Sequence, residues 1–200
     1  MSTALFQTVA LALGYPDEAW RERQLPLLQA VAQAYPASPV GTFTAYAAAN
    51  PTDQLTRAYV DTFDLRRRCC LYLTYYTHGD TRKRGVALLR FTTAYREAGL
   101  ELTGGELPDH LGLVCEVAAR APEVGVPLLT EHRAGIELLR MALTDSDSPY
   151  VDVLDTLRAA LPELARGDLE RALELARTGP PEEEVGLEPF APPEYMGGRR

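Results

Sequence analysis

The side chains able to do chemistry gather in two short segments. The first reads Leu71-Tyr72-Leu73-Thr74-Tyr75-Tyr76-Thr77-His78-Gly79-Asp80-Thr81-Arg82-Lys83-Arg84-Gly85. It joins an aromatic helix end to a Gly-Asp corner and then to a basic helix start. Tyr72, Tyr75 and Tyr76 stand at i, i+3 and i+4, the spacing of one helix face. Buried, their hydroxyls need partners; exposed, they line a groove that suits an amphipathic peptide. Residue types alone leave both readings open. Gly79 permits a turn with positive φ, and Asp80 is placed to cap the next helix by accepting from the backbone N–H of Arg82 or Lys83. Arg82, Lys83 and Arg84 oppose the dipole of a helix start, so they answer to something else, either a buried carboxylate or a ligand. The second segment is Glu106-Leu107-Pro108-Asp109-His110-Leu111. Asp109 and His110 are expected in the first turn of a helix that Pro108 starts. The acid suits the dipole there, and the imidazole is expected to be neutral or paired with Glu106 or Asp109. Such a box either merely begins a helix or forms an acidic pocket able to grip a partner's arginine or lysine.

Other chemistries find weaker support. Cys69, Cys70, Cys115, His78, His110 and His132 are the soft and imidazole candidates for a metal, but none falls at Cys-x-x-Cys or His-x-x-x-His spacing. Adjacent cysteines on a helix point about 100° apart, a poor pincer for a tetrahedral ion. Buried cysteine as apolar filler is the better reading, and no metal or cofactor is expected. The chain has no Gly-x-Ser-x-Gly turn and no phosphate loop, and its lysine, Lys83, sits between arginines. A catalytic reading is therefore disfavoured.

The elements that must position these segments follow from composition. The chain has 200 residues, 46% hydrophobic and 24% charged, enough for one domain with its own core. No apolar run approaches a membrane span, and the first 13 residues lack the basic start of a secretory signal. Three cysteines, two of them adjacent, fit a reducing cytoplasm better than a disulfide framework. The net charge is −8, against the expectation for a nucleic-acid binder. That charge is uneven. Leu65 to Tyr95 holds seven basic residues and one acid, so an island of +6 sits in a body of −14. Such an island either pairs with the body's carboxylates or meets a specific partner.

Apolar spacing and Pro/Gly punctuation predict helices almost throughout. Ser2 caps a first helix. Pro26 interrupts a second over 17–35. Ser38-Pro39, Asn50-Pro51 and Ser148-Pro149 open others. The run 71–77 is read as helix from its surroundings, and 82–98 as helix with Val86, Leu88, Leu89, Phe91 and Tyr95 inward. Helices are also predicted over 107–120 and 125–143, and a last one around Leu169 and Leu173. No series of alternating strands occurs. The expected architecture is all-α, a compact multi-helix bundle over 1–178. A Pro/Glu-rich tail over 179–200 is expected to stay flexible.

At the two chemical segments the sequence resembles the nitrate reductase molybdenum cofactor assembly chaperone, or delta subunit, family, one group of helical redox-enzyme maturation chaperones. The resemblance rests on Tyr59-Val60-Asp61-Thr62-Phe63-Asp64, Leu71-Tyr72-Leu73-Thr74 and Gly79-Asp80-x-Arg82-x-Arg84-Gly85. It continues through Leu88, Phe91, Tyr95 and Gly99 to Glu106-Leu107-Pro108-Asp109-His110-Leu111. After Leu111 the family tends to have a proline and an acid–aromatic pair, where this chain has Gly112-Leu113-Val114-Cys115-Glu116-Val117. The resemblance implies a cytoplasmic chaperone rather than an enzyme, a monomer or weak dimer. It would bind the N-terminal segment of the apo catalytic subunit of respiratory nitrate reductase and hold it competent for cofactor insertion. The residues it implies for peptide binding are Phe63, Leu71, Tyr72, Tyr75, Tyr76, Asp80, Arg82, Arg84, Glu106, Asp109 and His110. Rival expectations are a chaperone for another molybdoenzyme and a Cys/His metal or redox sensor.

Overall fold

A computed structural model describes residues 3–163 and 166–179. The expected cap at Ser2 and the tail over 180–200 lie outside the described residues. Helices α1 (Thr3–Ala12), α2 (Glu18–Arg23), α3 (Leu25–Ala34), α4 (Val40–Ala49) and α5 (Thr52–Tyr59) form the first half. A π turn (Val60–Asp64) and a 3-10 turn (Arg67–Cys69) lead to α6 (Leu73–His78) and α7 (Arg82–Glu97). The second half is α8 (Leu111–Arg120), α9 (Pro122–Glu131), α10 (Arg133–Asp145), α11 (Val151–Ala160) and α12 (Arg166–Thr178). The all-α expectation holds, and among the described residues there is no strand beyond a single isolated bridge.

Helices α1 and α8 lie side by side at the centre, with α9 against α8, α11 against α1, and α12 against α10. Phe6, Val9, Leu111, Val114 and Cys115 are wholly buried between them. Burying a large apolar side chain contributes roughly 1.5–3 kcal/mol, so this seam anchors the bundle. The Trp20 indole donates to the Leu11 carbonyl at 2.8 Å, tying α2 to the end of α1. Asp17 caps α2 by accepting from the Trp20 N–H at 2.7 Å. Pro26 stands at the start of α3, where its missing donor costs nothing, and the chain breaks at Gln24 as the proline requires.

Several expected boundaries move. The predicted helix over 125–143 is two helices that meet at His132, and Pro127 is accommodated inside α9. The run 71–77 is helical only from Leu73; Leu71 and Tyr72 are extended. The helix expected from Leu107 begins at Leu111, because Leu107–His110 forms a turn and His110 enters the bridge described below. In α7, Phe91 and Tyr95 face inward as expected, but Val86 and Leu89 do not: they are 67% and 65% exposed.

Candidate functional site

The two chemical segments, separated by some thirty residues in sequence, are stitched together. Tyr72 and His110 form an antiparallel bridge. The Leu73 N–H donates to the Asp109 carbonyl at 3.1 Å, and the Leu111 N–H to the Leu71 carbonyl at 2.8 Å. Leu107–His110 closes as a turn, the His110 N–H donating to the Leu107 carbonyl at 3.1 Å, and the pairing holds His110 extended and delays the start of α8. It also fixes the direction of every side chain in the two segments.

Asp109 turns inward and is 0% exposed. Its Oδ2 accepts from the Thr74 N–H at 3.0 Å and the Thr74 hydroxyl at 2.5 Å, in the first turn of α6. A carboxylate there satisfies an orphan donor and suits the helix dipole. Arg84 reaches back from α7, with Nη2 3.8 Å from Asp109 Oδ2 and Nε 3.1 Å from the Thr74 hydroxyl. So the arginine placed against the dipole of α7 answers to a buried carboxylate. Asp80 does not cap α7. The cap position is Thr81, without a side-chain cap bond, and Asp80 pairs with Arg84 Nη1 at 3.3 Å on the surface. Gly79, with φ 58° and ψ −153°, makes the corner in a region that a side chain would strain.

Tyr72 lies over this pair. The Arg84 guanidinium carbon is 5.4 Å from the Tyr72 ring centre, and the His110 ring meets the tyrosine edge-on at 5.6 Å. The Tyr72 hydroxyl donates to Glu106 Oε1 at 2.8 Å; burial first, and then this bond, raise its pKa. Burial lowers the His110 imidazole below its ordinary value, against the opposite pull of Glu106 and Asp109, so the ring is neutral near pH 7.

The other residues expected to bind peptide are not brought to this surface. Tyr75 and Tyr76 are 8% and 1% exposed, and the Tyr76 hydroxyl donates to the Cys70 carbonyl at 2.7 Å. Leu71 is core. Phe63 joins an aromatic cluster, its ring 4.7 Å from Tyr150 and 4.9 Å from Tyr59. The three tyrosines therefore do not form an open aromatic cleft. Tyr72 precedes α6, which breaks the helical spacing, and the other two are buried with their rings edge-on at 6.0 Å. Arg82 is exposed at the start of α7.

Beside the stitched segments lies a cavity of about 420 Å³ between the end of α7, the loop over 99–106 and α8. Leu100, Leu102, Leu113 and Val117 supply its apolar lining; Glu101, Glu106, Glu116 and Arg120 supply its charge. Glu116 is paired with Arg120 at 2.7 Å. Glu106 is the one anticipated residue on its wall, so it faces both Tyr72 and the cavity. The loop residues were not anticipated, because they have neither periodicity nor a motif. Among the described residues no group of three or more His, Cys, Asp or Glu side chains is placed to hold a metal ion. Cys69 and Cys115 are buried, and burial raises both thiols' pKa. No described helix is long and apolar enough to cross a membrane.

The arrangement is that of an all-helical protein with a cavity beside two stitched segments. A crystal structure of a provisionally assigned redox enzyme maturation protein from Archaeoglobus fulgidus has the same fold, with a TM-score of 0.61 over 80% of this chain and 93% of that one, at 20% identity. The chain belongs to the nitrate reductase delta subunit family, whose model matches residues 22–155. It is 32% identical over 175 residues to the "Probable nitrate reductase molybdenum cofactor assembly chaperone NarJ" of Bacillus subtilis, covering 84% of this chain and 95% of that one. It is 50% identical over 103 residues to the nitrate reductase-like protein NarX of Mycobacterium tuberculosis, and that match spans 51% of this chain but only 16% of the relative. The Escherichia coli relative, 31% identical over 156 residues, is likewise named a nitrate reductase molybdenum cofactor assembly chaperone.

Proposed function

We propose that this protein assembles a molybdenum-cofactor nitrate reductase by holding the N-terminal segment of its apo catalytic subunit until the cofactor is inserted. The work is done in the cytoplasm, by a monomer or weak dimer, without a cofactor of the chaperone's own. The observation that carries the reading, given the family, is the cavity beside Glu106: an apolar floor under carboxylates. A cationic, amphipathic chain end fits that chemistry. Its apolar side packs on Leu102, Leu113 and Val117, and its basic residues meet Glu101 and Glu106. Tyr72 and His110 form the adjoining wall. The buried Asp109, Leu71, Tyr75 and Tyr76 and the half-buried Arg84 shape that wall from behind. Ordering a disordered segment consumes a few kcal/mol of the contact energy, so capture is reversible, as release of a finished client requires.

Titration calorimetry with a synthetic peptide of the client's N-terminus tests this. Saturable binding with a negative heat-capacity change is expected, weakened several-fold by Leu102→Asp or Tyr72→Ala. Binding that both variants leave untouched would place the client elsewhere on the protein.

A further inference from the structure

Residues 24–52 hold no Asp, Glu, Lys, Arg or His, in a chain of which charged residues make up 24%. The run folds as α3, α4 and the turn between them, and the two helices pack against each other. Only one side of each serves the core. Leu25 and Leu28 of α3, and Val40, Phe43 and Ala47 of α4, are buried. The other side is exposed: Leu27, Ala30 and Ala34 on α3, Thr42, Ala45 and Ala49 on α4, each set at i, i+3 and i+7, one face of a helix. Leu27 is 53% exposed, and Tyr35, which ends α3, is 45% exposed. Single exposed apolar residues are ordinary. Two adjoining helices without a charge between them form a patch, and such patches mark contact with another body.

The charge pattern selects the partner. Two copies of a chain with a net charge of −8 repel each other, and a face without charge is where that repulsion is least. A cationic segment finds no carboxylate here, and an anionic lipid surface finds no cation. The shapes also fit a second copy. Bulk stands on α3, in Leu27 and Tyr35, and room on α4, in Ala45, Ala49 and Gly41, where a Cβ would meet nothing within 4 Å. The connection over 35–39 is short, which makes α3 and α4 antiparallel neighbours. A two-fold axis along this hairpin lays α3 of each copy on α4 of the other, bulk into room on both sides. It also brings Arg23, just before α3, towards Asp53 of the second copy, shortly after α4, as an oppositely charged rim. We infer that the protein forms a symmetric homodimer through the outer faces of α3 and α4, with Leu27 seated over Ala45 and Ala49 of the other copy and Tyr35 over its Gly41. Helices about 15 Å long and about 9 Å apart offer less than the roughly 800 Å² per partner of a standard interface, so the dimer is weak. Among the described residues, none that lines the Glu106 cavity comes from α3 or α4, so dimerisation leaves client capture there free.

Sedimentation velocity of the full-length protein between about 1 and 200 μM tests this. A monomer that gives way to dimer, with a dissociation constant on the order of 10 μM, is expected. Leu27→Asp and Ala45→Arg should each weaken the dimer at least tenfold. Both positions are on the surface, so circular dichroism should show both variants folded. Crosslinking reads the arrangement. Leu27→Cys and Ala45→Cys proteins, mixed and mildly oxidised, should form a disulfide between copies, identified by peptide mass, at least fivefold faster than either protein alone. A chain that stays monomeric at 200 μM would overturn the proposal, as would a dimer that both charged variants leave intact. A Leu27→Cys protein that links faster to itself than to Ala45→Cys would put α3 on α3 and overturn it too. Val86→Asp on α7 should leave the dimer unchanged; dimer lost in that variant but kept in Leu27→Asp would move the association to α7 and overturn the assignment. Client peptide should bind Leu27→Asp as it binds the wild type, and its loss in that variant would give this face to the client instead of a second copy.

Discussion

Asp109 holds two chain segments together from inside the fold. Its carboxylate takes both the backbone and the hydroxyl donor of Thr74 and sits beside the Arg84 guanidinium. Asp109→Ala leaves the Thr74 donors unmatched and takes one of its two carboxylates from Arg84. The expected loss is about 3 kcal/mol of unfolding free energy, read from urea denaturation. Asp109→Asn keeps an acceptor for Thr74 and should lose about half as much, because Arg84 still reaches Asp80 at the surface. Equal losses from the two variants would mean that charge, not hydrogen bonding, is what the site supplies. His110 makes the complementary case. Burial depresses its pKa, so the folded protein keeps the ring neutral while the unfolded chain takes up a proton near pH 6.5. Unfolding therefore binds protons below that pH, and stability present above it is lost as pH falls through 6.5 toward the lower folded value. His132, also buried, shifts the same way and adds to the slope. His110→Gln should flatten the stability profile between pH 7 and 5 but not abolish its slope. An unchanged profile would show that His110 does not carry the effect.

Between elements, close approach decides as much as apolar area. Gly125 of α9 lies so near α8 that a Cβ would stand 2.3 Å from the Cα and the backbone nitrogen of Ala118. Backbone cannot yield as a flexible side chain does. Gly125→Ala should cost about 3 kcal/mol and lower Tm by several degrees, whereas Gly85→Ala, on the open side of α7, should leave stability unchanged or raise it. The helices themselves were legible in the sequence because their signals are local. Pro26 marks the start of α3 and Gly99 follows the end of α7, as punctuation requires. The bridge between Tyr72 and His110 was not legible. It is a non-local pairing that overrides helical spacing at Leu71 and the proline start at Pro108. The same cause misplaced the tyrosines: at one-face spacing in sequence, they divide between a surface wall and the core once Tyr72 leaves the helix. Hydrophobicity alone assigns Val86 and Leu89 to the core, but both are exposed while Phe91 and Tyr95 are buried. Glu106 was found because it belongs to a motif. Glu101 and Leu102, in a loop without periodicity, became visible only when α7 and α8 closed around them.

At the scale of the molecule, charge is separated. Along the sequence, residues 65–95 carry +6 and the rest −14, and the cavity is lined by Glu101, Glu106 and Glu116 against a single cation, Arg120. On the proposed function, a cationic client segment would be attracted to the cavity's carboxylates before contact. Exposed pairs of this kind contribute at most about 1 kcal/mol each and are screened by salt, so they set encounter and register more than final affinity. The apolar floor contributes the part that salt does not weaken. These two contributions separate experimentally. Peptide affinity should fall several-fold between 50 and 500 mM salt, while the negative heat-capacity change stays constant. In the double variant Glu101→Gln/Glu106→Gln the salt dependence should shrink and the heat-capacity change persist. In Leu102→Asp the reverse is expected: salt dependence retained or steeper, and heat-capacity change reduced. If the carboxylate variant binds with the wild-type salt slope, the acidic rim takes no part in capture, and the client's basic residues must be met elsewhere on the protein.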